Sequence, residues 1–278
     1  MDVQTARFLS EMTSDFYRRF GASFSQTRRA AWPGWERCLQ LAGEALPDDR
    51  PTELLDLACG NLRFEAFLAE ALPGRAIEAW AVDDCEALVR EGSQPAAGEG
   101  APAAPTAPGA ASTAVGLHFQ RLDVPGLLLA GESLPAALEA PVCDLSVCFA
   151  FLHHLPLPEQ RAAVLEALVE KTRPGGCVAV SFWRFLDDED FAAKVRAEHE
   201  QAARELELPP LDEGDRVLGW QGEPGAHRYC HSFSEREIDE LADVVAPRAE
   251  EVARFRADGR NGRMNSYLVL RRRELRPS

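Results

Sequence analysis

The chain has 278 residues, 46% of them hydrophobic, and a net charge of −15. This length and apolar content are enough for one large domain or two small ones with a buried core. The longest apolar runs, such as residues 147–152, are far too short to span a bilayer, and Asp2, Arg7 and Glu11 stand where a secretory segment would be apolar. These features argue against a membrane protein and predict a globular one.

The first 50 residues are predicted to form an N-terminal helical lid. Apolar residues recur at helical spacing over 3–20, so we expect a helix there, a break over 21–33, and a second helix over 35–46. A loop then leads into the first strand. We expect residues 51–278 to form a single further domain.

Residues 54–67, LLDLACGNLRFEAF, are typical of a strand, a tight turn and the start of a helix. Asp56 lies near the end of the strand, where a carboxylate can accept a hydrogen bond from a ligand amine. Gly60 lets a ligand approach the backbone N–H groups at the helix start. The dinucleotide motif G-x-G-x-x-G is absent, because Gly60 is the only glycine of the turn. By itself the segment fits an ordinary strand-to-helix turn equally well.

Strands and helices alternate in the next hundred residues. The apolar pattern predicts strands over 76–82, 118–123, 141–152 and 177–183, with a helix over 158–171 before the last of them. This alternation predicts a doubly wound, mostly parallel α/β sheet.

Residues 92–116 consist almost entirely of Ala, Pro, Gly, Ser and Thr. Such a composition cannot bury enough apolar surface to offset the entropy of ordering, so we expect a disordered surface insertion.

The last third changes in character. It is predicted to contain a charged helix, a glycine-punctuated loop, a helix opened by a capping box, and a terminal antiparallel hairpin, at residues 187–208, 218–233, 234–245 and 250–271 respectively.

Cysteine and arginine are distributed unevenly. Seven cysteines occur without any C-x-x-C pair, which favours a reducing, cytoplasmic setting and predicts no structural metal site. Residues 1–40 hold six arginines against four acids, and residues 254–278 hold eight against two. The part between them is strongly acidic, which favours solubility and argues against nucleic-acid binding. Whether the two basic ends meet on one face stays open.

Taken together, the motifs resemble class I S-adenosylmethionine (SAM) methyltransferases, whose first motif is usually D-x-G-x-G-x-G. Here Ala58 and Leu62 replace two of the three glycines. The matching elements, in order and at the expected spacing, are Asp56 to Gly60, Asp83 and Asp84, Asp123 and Val124, the Asp144 strand with His153 and His154, and Arg173 to Gly176. The resemblance implies a seven-stranded, Rossmann-like sheet with SAM as cofactor.

The resemblance also implies which residues bind SAM. The expected cofactor-binding residues are Arg28, Trp32, Asp56, Ala58, Gly60, Asp83, Asp84, Asp123, Val124, Cys148 and Phe149.

A narrower resemblance concerns the tRNA wobble-uridine methyltransferases, which include the methyltransferase part of the AlkB-homologue tRNA hydroxylase and esterify 5-carboxymethyluridine. Residues 24–28 with Trp32 and Pro33 are similar to the F-S-x-T-R…W-P segment of that family. Residues 228–233, RYCHSF, partly match its R-Y-Y-H-x-F signature, and residues 265–267 match its N-x-Y. The sequence departs from the family in three ways: Gly219 stands where the family has the Pro of a Pro-Trp pair, Cys230 stands where it has the second Tyr of R-Y-Y-H, and the long insertion is added.

This resemblance implies catalytic roles for four residues, namely Arg228, His153, Tyr229 and His231. Either Arg228 or Arg28 would hold an acidic group of the acceptor, or Arg28 the methionine carboxylate, since planar guanidinium groups bind carboxylates well. Each role has a structural alternative: Arg28 and Trp32 could tie the N-terminal helix to the sheet. Likewise, one of the two adjacent histidines, and both Tyr229 and His231, could simply pack in the interior. Two neighbouring histidines without a nearby Cys, Asp or Glu predict no metal site.

The predicted function is therefore SAM-dependent methyl transfer to oxygen or nitrogen, with a carboxymethyl-modified wobble uridine in tRNA as the acceptor that the narrower resemblance implies. Two alternatives remain. The acidic surface favours a small-molecule O- or N-methyltransferase, and the replaced glycines favour a catalytically silent partner subunit. A small activating subunit is a further partner to consider, and no membrane partner is expected.

Overall fold

A computed structural model describes residues 1–28, 30–93 and 114–274 of the chain. The strands are β1 (Thr52–Leu57), β2 (Ile77–Asp83), β3 (Val115–Arg121), β4 (Cys143–Cys148), β5 (Thr172–Trp183), β6 (Asp215–Leu218), β7 (Arg228–His231), β8 (Ala249–Ala257) and β9 (Asn265–Arg272). The helices are α1 (Val3–Gln26), α2 (Pro33–Ala42), α3 (Arg63–Ala71), α4 (Glu86–Ser93), α5 (Val124–Leu129), α6 (Leu134–Ala137), α7 (Pro158–Lys171), α8 (Glu189–Glu205) and α9 (Glu235–Val245). Short 3-10 turns occur at Gly43–Ala45, Leu152–His154 and Phe185–Asp187.

Seven strands form one sheet in the order β3-β2-β1-β4-β5-β9-β8. The first five are parallel to one another, while β9 runs antiparallel to both of its neighbours. Chain order reverses between β1 and β4, and ligands of such sheets bind at the carboxyl ends of the strands at this switch point. The predicted fold class is confirmed, including the terminal hairpin.

Each face of the sheet carries its own apolar layer. One layer packs α5, α7 and α9 against the strands, and the other packs α2 and α3. All six residues of β4 are buried, because a central parallel strand is covered on both faces. This explains why β4 lies within the longest apolar run of the sequence.

Helix α1 is longer than predicted. The sequence suggested a break at Gly21, yet the helix continues to Gln26. Gly21 instead marks a close approach to α4, where a Cβ atom would come within 3.3 Å of Leu88. Ser25 is buried and accepts a hydrogen bond of 2.7 Å from Asn61. Tertiary contacts therefore keep this polar stretch helical against its local preference.

The loop predicted over 218–233 is partly wrong. Its last residues form β7, which pairs with β6 in a separate two-stranded antiparallel sheet. All four residues of β7 are buried, and the backbone N–H of Tyr229 donates to Thr13 Oγ1 of α1 at 3.0 Å. The strand is stabilised by a partner more than 200 residues away in sequence, which local patterns do not reveal.

Other predicted elements are confirmed, or differ from the structure only in where they begin and end. The helix over 158–171 and the capping box between Ser234 and Glu237 are confirmed. The predicted insertion is too long at both ends, since α4 continues to Ser93 and β3 begins at Val115. Residues 94–113, the remainder of that prediction, lie outside the described residues.

Candidate cofactor and acceptor site

A cavity of about 380 Å³ opens at the carboxyl edge of the sheet, beneath α1 and the start of α2. The segments that follow β1, β2, β3 and β4 form its floor, as expected for a doubly wound fold. Of the eleven predicted cofactor residues, ten line it, namely Arg28, Trp32, Asp56, Ala58, Gly60, Asp83, Asp84, Asp123, Val124 and Phe149. Cys148 is the exception, because it is fully buried within β4 and does not line the cavity.

The turn after β1 keeps the backbone shape of a glycine-rich loop. Ala58, Gly60 and Leu62 have φ angles of 65°, 56° and 55°, in the left-handed region that normally favours glycine. For a residue with a Cβ atom this conformation costs about 1–2 kcal/mol. The backbone N–H groups of Ala58 and Cys59 donate to the carbonyl of Val82 at 2.7 and 3.1 Å, which holds the loop in place.

Asp83 joins this loop to the end of β2. One carboxylate oxygen accepts from the Gly60 N–H at 2.9 Å and the other from the Cys85 N–H at 2.8 Å. Burial raises the pKa of Asp83, although these two donors oppose the effect. Asp84 lies at the rim beside Arg121, and Asp123 caps α5 by accepting from the Gly126 N–H.

Two arginines at the other side of the cavity have no carboxylate partner among the described residues. The Arg28 guanidinium lies 3.6 Å from the centre of the Phe24 ring, and the Arg228 guanidinium lies 5.0 Å from that of Phe16. Both are 5.6 Å from the ring of Trp220, so one aromatic cluster supports two cations. Burial lowers the pKa of Arg28 to about 10, which still leaves it charged at neutral pH. An anion is the ligand that this arrangement lacks.

Arg63 is a further cation that the sequence analysis missed. It stacks 5.4 Å from Trp32 and 5.3 Å from Trp35, and it donates to the Asn61 side chain and to the carbonyl of Ala30. The sequence could have indicated Arg63 as a site residue, because it is the first residue of α3 and directly follows the glycine-type turn. It lines the same cavity as Arg28.

The two adjacent histidines differ in their partners. His154 Nδ1 donates to the carbonyl of Tyr229 at 2.7 Å, so its Nε2 accepts from the Tyr17 hydroxyl at 2.8 Å. His153 lines the cavity and packs at a tilt against His154 and Trp183, with ring centres 4.1 and 5.1 Å away. Burial lowers the pKa of both, that of His154 to about 3, so both are neutral at pH 7. The lowered pKa also makes His153 only a weak proton acceptor.

The fold places a cysteine, Cys230, beside the two histidines, which the sequence pattern did not predict. His153, His154 and Cys230 bring one possible ligand atom each within 4.8 Å of one another. However, both ring nitrogens of His154 are already hydrogen-bonded, and burial raises the pKa of the Cys230 thiol to about 11. Metal binding requires a free imidazole nitrogen and a thiolate, so the cluster is not prepared for an ion.

Tyr229 and His231 do not lie in the cavity, which corrects the catalytic role implied for them. The Tyr229 hydroxyl donates to Asp215 at 2.5 Å and accepts from Arg161 at 3.0 Å. His231 lies between two carboxylates, 2.6 Å from Asp215 and 2.7 Å from Glu237. Both residues are almost fully buried and stabilise β7. Of the four predicted catalytic residues, only Arg228 and His153 line the cavity.

Solved structures share this fold, although no protein-family model and no curated protein sequence matches the chain. A SAM-dependent methyltransferase from Methanosarcina mazei aligns with a TM-score of 0.55 at 15% identity over 84% of this chain and 97% of its own. DhpI, solved with SAM and HEP, aligns with a TM-score of 0.54 at 15% identity over 95% and 97%. The 1,6-didemethyltoxoflavin-N1-methyltransferase of Burkholderia thailandensis aligns with a TM-score of 0.51 at 17% identity over 98% and 88%. The chain therefore has the class I SAM-methyltransferase fold.

Proposed function

We propose that the protein is a SAM-dependent methyltransferase. The observation that carries this proposal is the left-handed turn after β1, with its Gly60 N–H bound to Asp83, at the carboxyl edge of this particular sheet. With SAM bound, Asp56 would accept from its amine and Asp83 and Asp84 from its ribose, while Asp123 and Val124 would border its adenine. When bound, SAM supplies a methyl group on a sulfonium, and direct displacement needs alignment and exclusion of water. We further propose that α1 and α2 provide that exclusion as a lid.

The retained turn also weakens the alternative of a catalytically silent subunit. That alternative rested on the two replaced glycines, but Ala58 and Leu62 adopt the conformation that glycine would have had. Calorimetry with S-adenosylhomocysteine decides between the two: binding supports the enzyme, and its absence supports the silent subunit.

We propose that the acceptor carries an anionic group held between Arg28 and Arg228. Neither guanidinium group has a carboxylate partner among the described residues, and both line the cavity and pack on aromatic rings. A carboxylate is already ionised at pH 7, so it can receive a methyl group without a general base. A hydroxyl or amine acceptor would instead need neutral His153 to take its proton.

A small molecule fits the surface better than tRNA does. Several arginines of the C-terminal hairpin bind protein groups: Arg254 pairs with Glu251 and Asp239, and Arg256 with Asp187. Arg271 donates to the carbonyls of Gly175 and Leu41. Such arginines are not available to phosphates. A carboxymethyl-modified uridine remains the second candidate, because Arg228 belongs to the RYCHSF segment and lines the cavity.

The acceptor site can be tested by replacing Arg228. We expect Arg228→Ala to abolish methyl transfer to carboxylic acids and to leave binding of S-adenosylhomocysteine unchanged. Arg228→Lys should restore only part of the activity, since an ammonium keeps the charge but not the planar two-point contact. Transfer is measured as S-adenosylhomocysteine released in the presence of a panel of small aromatic and aliphatic carboxylic acids.

The exposed Arg196→Ala variant serves as the matched control, because it removes the same charge from helix α8, which does not line the cavity. Normal transfer by Arg228→Ala would refute the assignment of this arginine while leaving the cofactor site intact.

A further inference from the structure

Glu65 is a buried carboxyl group without a conventional partner. It lies on α3 with 5% of its surface exposed, and neither of its oxygens accepts a hydrogen bond from a donor in the described part of the chain. Its neighbour is the Asp56 carboxyl, itself 3% exposed, and the two side chains lie close enough to share a hydrogen bond once one of them carries a proton. Two carboxylates cannot hydrogen-bond unless one of them carries a proton.

No positively charged side chain among the described residues faces this pair. The titratable groups that face it are Asp83 at the end of β2, Cys59 in the turn and Cys148 on β4, all neutral or acidic. Arg63 is turned toward Asn61 and Ala30 instead. Burial accordingly raises the pKa of both carboxyl groups, that of Glu65 to about 7. Like carboxyl groups in close contact do not both ionise readily.

We propose that Asp56 and Glu65 share one proton in the free protein, and that an ammonium group bound against Asp56 releases it. Glu65 is then a positioning residue: it acts through Asp56 and makes binding of the amine end of the cofactor depend on pH. This inference rests on the proposed function, since SAM and S-adenosylhomocysteine supply the ammonium. Asp56 lines the cavity and Glu65 lies behind it, which gives the two carboxyl groups different roles.

The release can be counted by titration calorimetry at pH 6.5 in two buffers with different heats of ionisation. We expect binding of S-adenosylhomocysteine to release a large part of one proton, and its affinity to rise with pH between 6.0 and 7.5 accordingly. Glu65→Gln should release none, because its amide N–H donates to Asp56 and removes the need for a shared proton. The exposed Glu70→Gln on the same helix should behave like the wild type.

A truncated ligand identifies the group that displaces the proton. 5′-Methylthioadenosine keeps the nucleoside and the sulfur but lacks the amino-acid end, so we expect it to bind without proton release. Equal release with this ligand, or equal release by Glu65→Gln, would overturn the proposal.

A measurement on the free protein separates this proposal from the function itself. In ¹³C NMR of carboxyl-labelled protein, the signals of Asp56 and Glu65 should titrate together, well above the usual range for carboxyl groups, and Glu65→Gln should abolish that transition. Independent titration of both groups below pH 5 would refute the shared proton. If S-adenosylhomocysteine did not bind at all, the proposed function would fail, and this titration would still decide about the pair.

Discussion

Ala58 and Leu62 show how a motif can lose its glycines and keep its shape. Both have positive φ angles, and the carbonyl of Val82 anchors the turn through two backbone hydrogen bonds. Leu62 also contributes to a small apolar cluster with Cys59 and Val89, so its side chain has a packing role. From the sequence alone the replacements looked like a weakened cofactor site. The strain they introduce became visible only with the backbone angles.

Replacing Ala58 by glycine should therefore stabilise the protein. Removal of the left-handed strain of about 1–2 kcal/mol is offset in part by the greater entropy of glycine in the unfolded chain, which leaves a net gain of roughly 0.5 kcal/mol. Unfolding in urea measures the change. The same substitution at exposed Ala66, inside α3, is the control and should cost about 1 kcal/mol. Equal losses at both positions would contradict the interpretation.

The buried histidines should make stability depend on pH. Below pH 6.5 the unfolded chain takes up protons at His153 and His154, whereas the folded protein does not, since burial lowers both pKa values. The free energy of unfolding is therefore fully present above pH 6.5 and falls as the pH drops, by about 1.4 kcal/mol per histidine between pH 7.5 and 5.5. The Asp56–Glu65 pair opposes this trend, because its carboxyl groups are protonated more readily in the folded state.

The test is therefore to measure the free energy of unfolding of the wild type and of His154→Gln at pH 7.5 and at pH 5.5, and to compare how much each protein loses. We expect the variant to lose about 1.4 kcal/mol less than the wild type on acidification. An identical loss in both proteins would show that His154 does not remain neutral in the fold.

Among the elements, α1 is tied to the rest of the protein by side-chain hydrogen bonds along much of its length. Thr13 accepts from the backbone of β7, Tyr17 donates to His154, Ser23 accepts from Trp220, and Ser25 accepts from Asn61. The polar residues that seemed to end the helix are thus among its points of attachment. Periodicity predicted that a helix begins near Val3, but its end depends on partners that the sequence does not bring together.

Elements with a local apolar pattern could be predicted from the sequence, whereas elements held by distant partners could not. Strands β1, β2 and β4 and helix α7 were found because burial against the sheet leaves a local apolar pattern. Strand β7 was missed because its buried polar residues are satisfied by distant groups on α1, α7 and α9. Eight of the ten predicted cofactor residues in the cavity lie at or after the ends of β1 to β4, because motif order follows strand order. The placement of Tyr229 and His231 instead required the pairing of β6 with β7.

Tyr17→Phe should loosen α1. The change leaves the buried Nε2 atom of His154 without its donor, which costs about 1–3 kcal/mol. We expect faster amide hydrogen exchange along α1 and faster dissociation of S-adenosylhomocysteine. Helix α7, which is buried against the sheet, provides the internal control and should keep its protection. Uniform acceleration in both helices would indicate general destabilisation and contradict a local role.

At the scale of the whole molecule, much of the arginine in the described C-terminal hairpin is bound by protein groups. Arg254 and Arg256 form ion pairs, and Arg272 and Arg273 donate to carbonyls at or near the ends of α7 and α9. These contacts join the hairpin to the helices, and cations at helix C-termini are favourable. Among the helices that the structure describes, none is long and apolar enough to cross a membrane. The amino-acid composition shows how many arginines the chain ends contain, but only the structure shows which groups bind them.

We therefore expect no strong salt-dependent affinity for tRNA. A protein that contacts several phosphates loses orders of magnitude in affinity between about 50 and 200 mM salt, because counterions are released on binding. Fluorescence anisotropy with unmodified tRNA over this range measures the slope. A steep slope would instead favour the carboxymethyl-uridine acceptor, and the Arg228 variants would then separate phosphate contacts from contacts with the modified base.

The position of β9 has a consequence for synthesis of the chain. Residues 265–272 follow every other described strand in sequence, yet they lie inside the sheet, between β5 and β8. Until they emerge from the ribosome, β5 has an open edge and β8 has no partner, and open apolar edges are prone to pair with other chains. The nascent protein cannot complete its sheet from the N-terminal side onward, because the strand that completes it is made last.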